Sequence, residues 1–357
     1  MILQTDAPPE ATPAPRASET RMFREAAEAP QAIARQLAAN APLLQGLAER
    51  LRRDPPRTVI TLARGSSDNA ATFARYLIET RLGVLTSSAA PSVSSVYDAK
   101  PDMQDVLCLA ISQSGRSPDL LAGVQAAAQA GAYVVALVNA DNSPLSAQAH
   151  MTVPLAAGPE LSVAATKSFL ASLSAVVQLV ALWADDAELQ QALATLPAQL
   201  QQAWEQDWSD AEARLAPARD LYVLGRGLGL AIAQEAALKF KETCALHAEA
   251  FSAAEVRHGP MALVGAGFPI LAFAQDDETR PGVEEVAALC AAQGAQVMQA
   301  GGVASAGVRG LPVAAGHPIL EPLAMAQSFY RMACGLAVAR GLDPDAPPHL
   351  RKVTETT

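Results

Sequence analysis

The chain is poor in cysteine, in aromatic side chains and in positive charge, and it has no apolar run long enough to cross a membrane. Its four cysteines, Cys108, Cys244, Cys290 and Cys334, lie far apart, with no C-x-x-C pair and no histidine at metal-ligand spacing. That pattern excludes a disulfide scaffold and a zinc-ribbon type of site, and reduced core cysteines are expected instead. Aromatic residues make up 4% of a chain that is 50% hydrophobic, so helices rich in Ala and Leu should dominate the core. A net charge of −10 argues against non-specific nucleic-acid binding, although a basic pocket for a phosphorylated metabolite can sit inside an acidic protein. The longest apolar run, Phe169 to Trp183, is too short for a bilayer and carries Ser and Gln, and no signal-peptide pattern opens the chain. A cytoplasmic protein with no membrane association is expected.

What is present is an alternation of strands and helices in 357 residues, enough for two domains. Residues 1–20 are rich in Pro, Ala and Thr and read as a disordered arm. Helices are predicted from Met22 to Arg53, then strands at "TVITLA" (58–63), "VLCLAI" (106–111), "YVVALV" (133–138) and "MTVPL" (151–155), with a helix from Pro118 to Gln129 ended by Gly131. Long helices are predicted at Ala164–Trp183 and Asp186–Trp204. At "LYVLGRG", 221–227, the strand–turn–helix pattern restarts. This predicts an α/β fold of parallel sheets covered by helices on both faces.

The restart is an internal repeat. "LARGSSDNAATFARYL" (62–77) aligns with "LGRGLGLAIAQEAALK" (224–239) at an offset of 162, and at an offset of 163 Pro118 meets Pro281 and Gly131 meets Gly294. The expected boundaries are 21–205 for the first unit with its N-terminal helices, 206–345 for the second, and 346–357 for a C-terminal tail. The copies differ at one turn. The first has "SQSGRS" (112–117), whose hydroxyls, backbone N–H groups and following helix N-terminus suit an anion; a helix cap by Ser117, with Ser112 and Ser114 as turn residues, fits the same stretch. The second has "QDDETR" (275–280), whose three carboxylates would repel a phosphate. That asymmetry favours the anion cradle.

"RGSSDN" (64–69) ends the first strand of the same copy, so Ser66 and Ser67 should face the crevice of Ser112–Ser117, with a helix cap an equal reading for Ser67 and the expected one for Asp68. "SVAATKSF" (162–169) places small residues and a lysine before a very apolar helix. The densest ionisable group is 235–260, where Glu235, Lys239 and Glu242 share one helix face and Glu249, Glu255, Arg257 and His258 follow. Decoration of an exposed helix is one explanation. Proton transfer on a sugar carbon is the other, since a histidine and a carboxylate facing one crevice supply the acid and base. No metal motif such as H-E-x-x-H is present, and no metal or cofactor is expected.

In these motifs, together with "MFREAAEAP" (22–30), "EAALKFKE" (235–242), "HAEAFSAAEVRHGPMAL" (247–263) and the C-terminal "PPHLRKVTET", the chain resembles the sugar isomerase (SIS) family, and within it the isomerase half of glutamine–fructose-6-phosphate amidotransferase. The resemblance implies two tandem SIS units, each a five-stranded parallel sheet in a three-layer, flavodoxin-like arrangement. It implies phosphate binding by Ser67, Ser112, Gln113, Ser114 and Ser117, and sugar contacts by Gly65, Ser66, Val163 and Ala164. Glu242 corresponds to the base that moves a proton between C1 and C2, and Lys239 lies beside the sugar. His258 corresponds to a ring-opening residue from the neighbouring subunit of a homodimer, and Lys352 to a C-terminal lysine near the open-chain sugar.

The chain departs from the amidotransferase in having no cysteine before Cys108 to serve as a glutaminase nucleophile. The expectation is therefore a stand-alone deaminase that converts glucosamine 6-phosphate to fructose 6-phosphate and ammonia. Other phosphosugar isomerases, fructosamine-phosphate deglycases and a sugar-phosphate sensor are the alternatives. The sensor would need the serine cradle but neither Glu242 nor His258.

Overall fold

The computed structural model describes residues 16–99 and 101–352, and two parallel sheets organise them. The first contains β1 (Thr58–Leu62), β2 (Thr86–Ser88), β3 (Val106–Ser112), β4 (Tyr133–Val138) and β5 (Met151–Pro154), in the order β2-β1-β3-β4-β5. The second contains β6 (Asp220–Gly225), β7 (His247–Ser252), β8 (Pro269–Phe273), β9 (Gln296–Ala300) and β10 (Val308–Leu311), in the order β7-β6-β8-β9-β10. Counted within each unit, both sheets run 2-1-3-4-5 with every pairing parallel, so the repeat in the sequence is a repeat of architecture. Sheets of this kind are covered on both faces. Every residue of β3 and of β8 is accordingly buried.

Helices α1 (Arg21–Ala27) and α2 (Ala29–Arg53) precede the first sheet, and α3 (Ser66–Leu82), α4 (Pro91–Ser95), α5 (Pro118–Gln129) and α6 (Pro144–Gln148) connect its strands. Helices α7 (Lys167–Trp183), α8 (Ala187–Glu205) and α9 (Ser209–Leu215) lead to the second sheet, which carries α10 (Leu228–Cys244), α11 (Ala253–Val256), α12 (Arg280–Ala292) and α13 (Glu321–Ala339). All of α7 except Leu182 is buried, because α2 and α3 cover it. Helix α3 also lies against α10, which lies against α13. One apolar core therefore runs through both units, from Met22 to Ala337.

Several boundaries differ from expectation for local reasons. Helix α7 begins at Lys167 rather than Ala164, because residues 162–166 are held out of the helix by buried carboxylates described below. Asp68 does not cap α3: Gly65 occupies the N-cap position, and Asp68 sits inside the first turn. Asp186 lies outside α8 and caps it, its side chain accepting from the Leu189 amide. At the other end of the chain, Ala17–Glu19 form a 3-10 turn and Thr20 caps α1, so part of the expected arm is ordered; residues 1–15 of that arm lie outside the described residues. All four cysteines are free and buried, and burial pushes the Cys108 thiol up to about 12. Among the described residues no helix is long and apolar enough to cross a membrane.

Candidate active site

Strands β1 and β3 are neighbours, with Leu62 beside Ala110, and their connections run outward to different partners on either side. In an open parallel sheet this is the switch point at which ligands gather beyond the carboxyl ends of the strands. The loops "RGSSDN" and "SQSGRS" leave from it side by side and are joined: Arg64 Nε and Nη2 each reach Asp119 Oδ2 at 2.7 Å, in the first turn of α5. Within the serine loop, Ser112 Oγ accepts from the Gly115 amide at 2.9 Å and Ser114 Oγ accepts from the Arg116 amide at 3.4 Å. Gly115 has φ +62°, and a Cβ there would lie 2.5 Å from Ser143 Oγ, so this turn requires glycine. Ser117 occupies the N-cap position of α5 but its hydroxyl makes no cap bond. The capping reading of Ser117 therefore does not account for its hydroxyl. Two helix N-termini, with Ser67 in the first turn of one and Ser117 before the other, frame this site.

The second unit shows the same turn in different surroundings. Gly227 repeats the backbone of Gly65, with φ and ψ of 57° and −129° against 56° and −131°. A Cβ on Gly65 would meet no atom within 4 Å, whereas one on Gly227 would meet Thr279 Cγ2 at 3.0 Å. The fully buried Gln275 fills the remaining space, its amide donating to Arg226 O at 2.8 Å and to Thr279 Oγ1 at 2.9 Å. The acidic loop thus closes on its own strand–helix turn. Charge and shape both disfavour an anion there.

Helix α10 of this closed unit serves the open one. Glu235 and Lys239 are completely buried, which overturns the surface-decoration reading of this face. Lys239 Nζ donates to Ser66 Oγ at 3.0 Å, lies 3.4 Å from Glu235 and pairs with Glu242. Ser66 Oγ in turn donates to Glu235 at 3.2 Å, and Asn69 Nδ2 and the Tyr330 hydroxyl donate to the same carboxylate at 2.9 and 3.0 Å. Burial alone would lower the Lys239 ammonium, but the two carboxylates outweigh it and lift it to about 12. Glu235 is raised above the usual carboxylate range, because burial outweighs the pull of Lys239 and Asn69. Burial and the adjacent Glu235 together push the Tyr330 hydroxyl well above its ordinary value. Only Glu242 of the three is partly open, with 22% of its side chain exposed. It faces a cavity of about 500 Å³ whose other wall is the segment Gly341–Leu350.

That C-terminal segment continues to Lys352, whose Nζ lies 3.3 Å from Glu160 Oε2. Glu160 is fully buried and also accepts from the amides of Thr166 and Ser168 and from the Ser168 hydroxyl. Burial would raise its carboxyl, but Lys352 and these donors hold it below the usual range. The structure therefore brings Lys352 to the loop carrying Val163 and Ala164, and Lys239 and Glu242 to Ser66. It does not bring His258 to them. His258 is exposed in the turn after α11, and none of the described hydrogen bonds or ion pairs joins its side chain to Glu242.

Asn69, Glu160 and Tyr330 were not singled out by the sequence, and Glu235 was read only as a helix-face partner. Glu160 carried a signal in its place two residues before "SVAATKSF". Tyr330 carried none, since its partner lies 95 residues away.

Replacing Lys239 by Met is expected to cost about 3–5 kcal/mol at neutral pH, since it leaves Glu235 buried without its cation. A carboxylate whose native pKa is raised favours the folded state below its unfolded value and loses that contribution as pH rises through the native value. The deficit of Lys239→Met relative to wild type should therefore be smaller at acidic than at mildly alkaline pH. Denaturant unfolding of both proteins across that range checks it, and a pH-independent deficit would contradict the assignment.

The SIS domain family model matches residues 54–182 and 214–300, one match on each sheet. The glutamine–fructose-6-phosphate aminotransferase (isomerizing) of Aeropyrum pernix is 35% identical over 313 residues, which are 82% of this chain and 50% of that protein. The chain spans about half the length of the curated relatives it matches. Among solved structures, a Silicibacter pomeroyi protein whose name proposes phosphosugar isomerase activity is 45% identical with a TM-score of 0.88, covering 91% of this chain and 100% of that one. The C-terminal domain of glucosamine-fructose-6-phosphate aminotransferase from Francisella tularensis is 26% identical with a TM-score of 0.84, covering 92% and 98%. With both sheets matched by the family model and the repeat visible in their common strand order, the chain belongs to the SIS domain family as two tandem units.

Proposed function

We propose that this chain is a phosphosugar isomerase that acts on an amino sugar, converting glucosamine 6-phosphate and water to fructose 6-phosphate and ammonia. The observation that carries the reading is the division of labour between the units: the first keeps its switch-point turn open beside hydroxyls, while the second closes its own and lays α10 against α3. The phosphate is assigned to Ser67, Ser112, Gln113, Ser114 and Ser117, and the sugar to the side of Gly65, Ser66, Val163 and Ala164. The amidotransferase names of the relatives support an amino-sugar phosphate as the substrate class.

In this reading His258 opens the ring, and Glu242 removes the C2 proton of the open-chain aldehyde. The C–H electrons form a C1=C2 double bond as the C1 oxygen takes a proton, and the resulting enolamine accepts a proton back at C1 while its nitrogen lone pair forms the C2 imine. The C2 imine is then hydrolysed to the ketone and ammonia. Lys239 pairs with the Glu242 carboxylate and aims it, and Lys352 neutralises charge on the sugar oxygens. The exposed position of His258, apart from Glu242 in its own chain, is consistent with a homodimer in which each site takes this residue from its partner. Complementation tests that point. A heterodimer of Glu242→Gln and His258→Ala chains should regain one of its two sites, and no recovery after subunit exchange would argue for self-contained chains.

Glu242→Gln preserves size and hydrogen bonding but removes the base, and should lower ammonia release and exchange of the C2 hydrogen with deuterated solvent by about a hundred- to ten-thousandfold. Exchange at the wild-type rate in that variant would assign the proton to another residue. Formation of a ketose without ammonia by the wild-type protein would move the reading to a simple isomerase, and binding without turnover would move it to a regulator.

A further inference from the structure

Two carboxylates, Glu25 on helix α1 and Glu28 at the junction of α1 and α2, are left without a task by the proposed chemistry. Both turn toward the loop before α7. Glu25 is buried; its Oε1 accepts from the Leu161 amide at 2.6 Å, and its Oε2 from the Ser162 amide at 3.1 Å and the Ser162 hydroxyl at 2.5 Å. The same hydroxyl lies 3.1 Å from the Ala164 carbonyl, so its proton is shared between the carboxylate and the loop's own backbone. Just past the end of α1, Glu28 pairs with Lys167, whose side chain is buried. From the inner side Glu160 holds the Thr166 and Ser168 amides. The segment 162–166 is thus irregular backbone inside the protein, and carboxylates satisfy donors that a helix or strand would otherwise occupy. The helix that supplies the outer clamp is itself fixed from the C-terminal side, since Asp345 accepts from the Arg21 and Met22 amides at 2.6 and 2.7 Å.

We propose that Glu25 is a positioning residue: without touching the sugar, it sets where Ser162–Ala164 stand and so how the sugar's C1 and C2 lie relative to Glu242. This rests on the reading of Val163 and Ala164 as neighbours of the sugar. It gives "MFREAAEAP" a role, since Glu25 holds the loop and Glu28, three residues on, pairs with Lys167 at the start of α7. The phosphate loops after β1 and β3 receive no bond from Glu25, so phosphate affinity and sugar placement should separate on mutation.

The test compares wild type with Glu25→Gln, whose amide nitrogen faces donors where a carboxylate oxygen stood, and with Ser162→Ala, which leaves α1 untouched. Amide hydrogen exchange at Leu161 and Ser162, measured without substrate, should accelerate about tenfold or more in Glu25→Gln. With glucosamine 6-phosphate, kcat should fall about tenfold or more in Glu25→Gln and by a smaller factor in Ser162→Ala, since small misplacements of reacting groups have large rate effects. Competitive inhibition by inorganic phosphate should stay within about twofold of wild type, the pattern of a displaced sugar rather than a damaged site. Unchanged exchange at Leu161 and Ser162, wild-type kcat in Glu25→Gln, or a loss of phosphate inhibition parallel to that of kcat would each overturn the proposal. Turnover by the wild-type protein tests the underlying reading separately, and the exchange measurement judges Glu25 whichever sugar phosphate is used.

Discussion

An ammonium group with no exposed surface is the constraint around which the site is arranged. Lys239 is stable as a cation inside the protein only because Glu235 and Glu242 flank it and Ser66 Oγ accepts a hydrogen bond from it. Those partners come from both units: Glu235 and Glu242 from α10, and Ser66 from α3, whose Asn69 also donates to Glu235. The electrostatic requirement of one side chain therefore fixes how the two helices meet. It also holds Glu242, the one member of the three with access to solvent, in place.

Two copies of a single fold have taken different parts. In one, small residues and an unfilled turn remain at the switch point; in the other, Gln275 and Thr279 fill the turn and carboxylates surround it. A phosphate is held by hydroxyls, backbone amides and helix N-termini, and needs space for its oxygens. Only the first copy has both. The second contributes the surface that the first lacks, and pseudo-symmetry makes this possible because equivalent helices α3 and α10 lie against each other.

β1, β3, β4, β5 and β6 were legible as short apolar runs between turn residues, and the repeat implied a second sheet like the first; the edge strands β2 and β7, Thr86–Ser88 and His247–Ser252, were not, since one is three small polar residues and the other is rich in His, Glu and Ser. The serine loops and the Glu235–Lys239–Glu242 face were legible as patterns. Their burial was not, since what covers a helix face is decided by elements far away in the chain. The same reason explains the start of α7: propensity favours a helix from Ala164, but Glu25, 137 residues before Ser162, takes the Ser162 amide. Tyr330 and Asn69 are ordinary residues of their helices until Glu235 is placed between them.

The central claim is that one crevice per chain, in the first unit, receives the sugar phosphate. Calorimetric titration of glucosamine 6-phosphate into the wild-type protein, Ser114→Asp and Asp277→Asn tests it most directly. The account predicts one site per chain, abolished by the carboxylate at position 114 and unchanged by neutralising position 277. Wild-type affinity in Ser114→Asp, or a loss of binding in Asp277→Asn alone, would place the ligand elsewhere and contradict it.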